Sequence, residues 1–147
     1  PYRERIDDPR AHVCAPVGRG ALANSVSLVR HEPSGLWIAT MTASRPAQQG
    51  AQGGGRPVAG IYASVSRDLI TWSVPTLVRA IPIFQGVTCE DRYSVGYPAL
   101  VDPRSTSRNF ETFGGSGWLY MSRYNLRNCR VEADRDLVRL PVTVTLQ

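Results

Sequence analysis

The sequence has no lysine: all 17 of its basic residues are arginine. Chemistry that needs a lysine amine is therefore excluded, namely Schiff-base catalysis, a Walker-type phosphate loop and a Ser–Lys dyad. Histidine and cysteine are also scarce, at 2 and 3 residues. His12 and His31 lie far apart, and three widely spaced cysteines lack the rhythm of a zinc site, although His12 sits beside Cys14. No Gly-x-Ser-x-Gly elbow is present. Gly18-Arg-Gly20 followed by Ala23 half-matches a dinucleotide fingerprint, but no βαβ unit surrounds it. No apolar run approaches the ~20 residues of a membrane helix, and no basic-then-apolar leader is seen. The expectations are no cofactor, no metal and no membrane partner.

What is present is an ordinary globular balance, with 42% hydrophobic and 20% charged residues in 147. Gly 13 and Pro 11 favour a turn-rich chain. The net charge of +5 invites a nucleic-acid reading. However, Arg123, Arg127, Arg130, Arg135 and Arg139 are interleaved with Glu132, Asp134 and Asp136. That pattern is a solvated face with local ion pairs, so no nucleic-acid partner is expected.

Residues 1–23 have no sustained period and read as an irregular arm. From Ser25 onward, short β-type runs alternate with turn signals, and helix is the minority reading throughout. The runs are Ser25–Arg30, Leu36–Thr42, Ala59–Val65, Thr71–Arg79, Tyr97–Val101, Trp118–Tyr124, Cys129–Ala133 and Val138–Leu146. Arg45–Pro57 is a low-complexity loop. The eight runs fall into two repeating groups, residues 24–80 and 81–147. Val65-Ser-Arg-Asp-Leu-Ile70 corresponds to Ala133-Asp-Arg-Asp-Leu-Val138, and Gly35-Leu-Trp-Ile-Ala-Thr-Met41 to Gly117-Trp-Leu-Tyr-Met-Ser-Arg123. Two four-stranded meanders with variable loops are the signature of propeller blades, against the alternative of a sandwich or jelly roll.

Ser66-Arg-Asp-Leu-Ile-Thr-Trp72 followed by Ser73-Val-Pro75 resembles the S-x-D-L-x-x-W turn of five-bladed β-propeller glycoside hydrolases, the arabinanase, β-xylosidase and invertase type. Tyr97-Pro-Ala-Leu-Val-Asp-Pro103 resembles an innermost strand, and Asp134-Arg-Asp-Leu-Val-Arg-Leu-Pro141 part of a terminal blade of an uncharacterised bacterial branch. The resemblance covers roughly residues 25–147. It implies an all-β fold of two four-stranded antiparallel blades, part of a five-bladed propeller. It also gives Ser66, Asp68, Trp72 and Asp136 structural roles, the acids bracing turns and the tryptophan packing between blades. The same turn residues have a purely local reading, since Ser and Asp side chains bond nearby amides. Trp37 and Trp118 are read as core residues too.

Glycosidases commonly use two carboxyl groups flanking the scissile bond. Glu90 and Asp91, leading into the second innermost strand, are the candidate catalytic pair; the bland reading is a solvated rim. Arg92, Tyr93 and Tyr97 are candidate substrate-binding residues, with Asn24, Ser25 and Arg30 brought in by the first innermost strand. The family's Ala-Asp-Pro and Glu-Gly-Pro acidic motifs are missing. The expected function is carbohydrate-related, with a glycan or small saccharide as partner: either hydrolysis, or recognition by a module that has lost the acids.

If Tyr97–Val101 pairs antiparallel with Trp118–Tyr124, partner positions sum to about 220. Cys89 and Cys129 sum to 218 and so lie beyond the same end of that hairpin. A Cys89–Cys129 disulfide is expected, with Cys14 left over and a secreted or periplasmic setting; the alternative is three thiols in the cytoplasm. Two blades leave apolar faces open, so the remaining blades are expected from an N-terminal portion of a longer protein or from another chain.

Overall fold

The computed structural model describes residues 18, 23–45 and 57–146, which form eight β-strands and no helix. The expected arm over 1–23 lies outside the described residues except for Gly18 and Ala23, and with it His12 and Cys14. Most of the low-complexity loop lies outside them as well. The all-β expectation holds.

The first sheet is an antiparallel meander of β1 (Asn24–His31), β2 (Trp37–Arg45), β3 (Val58–Ser66) and β4 (Thr76–Ala80). Its first turn is tight: Gly35, with φ of 70°, donates its amide to the His31 carbonyl at 2.8 Å. Strand β2 is buried from Ile38 to Ala43. The Ile38–Val65 and Thr40–Ala63 pairs turn towards the main core, while Ala39, Met41 and Ala43 form a second cluster with Tyr62, against which Trp72 packs. A strand covered on both sides keeps no solvent-facing polar face, and here even Thr40 and Thr42 are buried. Strand β4 starts at Thr76 rather than Thr71, because residues 67–71 are consumed by the preceding turn.

The second sheet has the order β5-β7-β8, built from β5 (Tyr93–Val101), β7 (Ser116–Arg127) and β8 (Arg130–Thr143). Partner positions in β5 and β7 sum to 219 from Ala99 to Val101 and to 218 from Tyr93 to Gly96, before the bulge, the sum that Cys89 and Cys129 share. Those cysteines form a disulfide, with Cα atoms 4.5 Å apart. Cys129 sits in a two-residue hairpin turn with Asn128, both at positive φ, as a type I′ turn requires.

Two expectations for the second sheet need correction. The Cys129–Ala133 and Val138–Leu146 runs are one strand, so this sheet has three strands where four were expected. Asp136 is accordingly not a turn residue; it lies inside β8 opposite Arg123, whose guanidinium donates to it at 2.7 Å. The eighth element is instead β6 (Thr112–Phe113), a two-residue strand that leaves the Asp102–Ser116 connection and pairs parallel with Arg30–His31 of β1.

The core lies between the sheets. Val29, Ile38 and Ile61 face Val95, Leu100, Leu119 and Met121, with Ile83 and Phe113 filling the remaining space. Phe113 is fully buried, and burial of such a ring stabilises by about 1.5–3 kcal/mol.

Candidate functional site

Both first strands, β1 and β5, carry a bulge. The register slips between Asn24 and Ser27 in β1 and between Gly96 and Ala99 in β5. Each bulge holds a non-glycine residue in the left-handed region, Ser25 at φ 56° and Tyr97 at φ 55°. Such backbone costs about 1–3 kcal/mol and persists where its surroundings enforce it.

The enforcing contact at Tyr97 is visible. Thr40 on β2 donates its buried hydroxyl to the Pro98 carbonyl at 3.1 Å, and Thr40 is the cross-strand partner of Ser27. The two bulges therefore lie at one level. Further along, Gly114 sits between the Asp102 and Glu32 carboxylates, so β1 and β5 run in the same direction. Pro98 removes a ladder donor at the slip and is itself buried. The Tyr97 ring turns out to solvent, 58% exposed, and meets the edge of Phe84 at 6.1 Å. Phe84 in turn packs on Tyr124 at 4.7 Å and closes over Gly96, where a Cβ would come within 2.5 Å of its ring.

The other candidate residues are dispersed. Asn24 opens β1, its backbone opposite Thr42. Arg30 lies five residues beyond Ser25, about 17 Å away along an extended strand, beside Glu111 and Thr112. It therefore cannot share a small ligand with Ser25 and Tyr97. Tyr93 packs against the core with the Arg123 guanidinium 5.8 Å from its ring centre, so it is not an open stacking face. Arg92 is exposed, and its carbonyl accepts the Leu126 amide at 3.1 Å.

Glu90 and Asp91 share one loop, tethered through Cys89 to the hairpin turn. The Asp91 carboxylate accepts the Thr88 amide at 2.8 Å and the Thr88 hydroxyl at 3.0 Å, which is a turn cap. Glu90 is exposed, its amide donating to the Thr88 hydroxyl at 3.3 Å.

The Ser66–Trp72 turn is a closed local network. The Ser66 hydroxyl donates to Asp68 at 3.0 Å and accepts the Leu69 amide at 2.9 Å. Asp68 accepts the amides of Ile70 and Thr71 at 2.9 and 2.7 Å. Those amides, Thr71 first, hold its pKa at about 2 against an ordinary 3.8. The Trp72 indole donates to the Leu69 carbonyl at 3.1 Å.

Sequence reasoning passed over a second polar group. Asp102 is buried; burial pushes its pKa up, but the Arg104 and Gly114 amides and the Arg104 guanidinium outweigh this and leave it lowered. Nearby, buried His31 shares a 2.8 Å hydrogen bond with Ser34 through Nδ1, while its Nε2 has no partner among the described residues. Trp118, expected in the core, is half-buried beneath the Arg139 guanidinium at 4.1 Å. No cluster of three or more metal-ligating side chains occurs among the described residues. Nor is any helix there long and apolar enough to cross a membrane.

No family model matches this chain, and comparison with curated proteins and with solved structures finds no match either.

Proposed function

We propose that this chain is a carbohydrate-recognising module of two propeller-type blades, with the paired bulges of β1 and β5 as its glycan-contacting surface. The observation that supports this reading is the exposed Tyr97 ring, fixed at positive φ beside Phe84 and level with Ser25. A rigid, solvent-facing aromatic ring offers an apolar face to the C–H groups of a pyranose, and hydroxyls at its edge bond sugar oxygens. Ser25 and the Tyr97 phenol fill the second role.

Recognition is favoured over hydrolysis because the Asp91 carboxylate is engaged by Thr88 and shares a loop with Glu90, rather than facing it across a cleft. The glycoside-hydrolase kinship remains part of the proposal at the level of blade architecture. The first sheet's meander and its Ser66–Asp68 turn support it. Further blades would come from a partner chain or a longer form of this one. The Cys89–Cys129 disulfide supports an oxidising compartment, secreted or periplasmic.

The test is a titration of the chain against soluble oligosaccharides drawn from plant and bacterial polysaccharides, read by NMR shifts. Saturable shifts at Tyr97, Phe84 and Ser25, weakened about tenfold or more in Tyr97→Ala, are expected. Aryl-glycoside turnover that disappears in Glu90→Gln or Asp91→Asn would replace recognition by hydrolysis. Absence of binding across the panel would overturn both.

A further inference from the structure

Between the two sheets lies a cavity of about 300 Å³. One wall comes from Ile38 on β2, Ala63 and Val65 on β3 and Val78 on β4. The other comes from Leu100 on β5, Leu119 on β7, Val142 on β8 and, just beyond that strand, Val144 and Leu146. Crossing three neighbouring strands at about 4.8 Å each makes it a slot about 10 Å long. Its mouth is marked by Val78, 49% exposed.

The chemistry of the lining is one-sided. The side chains are aliphatic apart from four hydroxyls, and none is aromatic or charged. Thr40 spends its hydroxyl on the Pro98 carbonyl at 3.1 Å, and Ser64 on the Ser73 carbonyl at 2.7 Å. The Ser73 hydroxyl accepts the Val65 amide at 3.0 Å. Only Thr76, exposed at the β4 edge, stands apart from this network. A cavity whose inner polar groups are satisfied holds water poorly and takes apolar guests. Lacking aromatic rings, it offers no stacking partner to a flat ligand, and lacking charge, no anchor to an ionic one inside.

We infer that this slot is a binding site for one medium-length aliphatic chain, the tail of an acyl or alkyl compound whose polar head stays at the Thr76–Val78 mouth. The site is separate from the Tyr97 surface and does not depend on the glycan reading.

The test uses the whole chain with methyl-labelled Ile, Leu and Val, titrated with decan-1-ol and, in parallel, decanoate. Expected are saturable shifts at Ile38, Leu100, Leu119 and Val142 with micromolar affinity. Alcohol and acid binding alike would show that the tail alone is read; acid alone would add a cationic contact at the mouth. Filling the slot from either wall, with Ala63→Leu or Val142→Phe, should weaken binding about tenfold or more. If a filled variant does not fold, the wild-type shift map still decides. No saturable shift in the micromolar range, or shifts centred on exposed Leu28 or Leu137 instead, would overturn the inference.

Discussion

Thr40 and Pro98 are joined by a buried hydrogen bond that spans 58 residues of sequence and fastens the second strand of one sheet to the bulge of the other. Thr40→Val keeps the shape and strands the Pro98 carbonyl. The expected cost is about 1–3 kcal/mol in urea denaturation, with Thr40→Ser recovering most of it. Glycan titration of Thr40→Val should also weaken, because the Tyr97 bulge loses its fastening.

Acid should act on the Ser66–Trp72 turn in a narrow range. The folded pKa of Asp68, about 2, lies below its ordinary 3.8. Its stabilisation is therefore complete above about pH 4 and disappears as the pH falls towards 2. Asp102, also lowered, acts in the same direction. Thermal melts of wild type and Asp68→Asn should differ by a constant amount at neutral pH and converge below about pH 4. A difference that persists unchanged to pH 2 would remove Asp68 from the stabilising network.

The Cys89–Cys129 bridge closes a loop with a sequence separation of 40. Chain-entropy reasoning puts its worth at about 4 kcal/mol, minus any structure left in the reduced unfolded state. Thiol titration of the denatured, unreduced chain should find one free thiol, that of Cys14. Finding three would show that the bridge does not form. Reduction should lower the melting temperature of the native protein.

Gly117 has no room for a side chain. A Cβ there would lie 2.5 Å from the Val101 carbonyl oxygen and 2.8 Å from the Phe113 ring. Gly117→Ala should cost about 1–3 kcal/mol by displacing β7 from β5 or Phe113 from the core. A melt indistinguishable from wild type would contradict this packing.

The legible part of this fold is the part written in local rules. The Ser66–Trp72 turn could be read because its bonds run among neighbours, and the cysteine pairing because antiparallel register is linear in residue number. The second copy misled for a chemical reason. Where the first has Ser66 donating to Asp68, the second has Asp134 facing Asp136, and a carboxylate has no proton to give. With β7 offering a ladder and Arg123 pairing Asp136, strand wins over turn. At the candidate site, Tyr97 stood out in the sequence but Thr40 and Phe84 did not. Their roles depend on which strands meet across the core, and nothing nearby in the chain encodes that. Arg30 and Ser25 share a strand yet lie at different heights along it, a distinction that residue type alone does not carry.

Strand β6 is only two residues long, yet it decides what kind of object this chain is. In a repeat protein each unit can in principle be copied, lost or exchanged because its chain stays within its own sheet. Here the connection that leaves the second sheet crosses to lie beside β1, buries Phe113 completely, and returns to start β7. Cutting near residue 80 would strip the first sheet of one edge and both halves of a shared aromatic anchor. The two sheets are thus not modular units. Neither half is a freely transplantable cassette, and insertions between residues 102 and 116 should be tolerated far less than the length of that connection suggests.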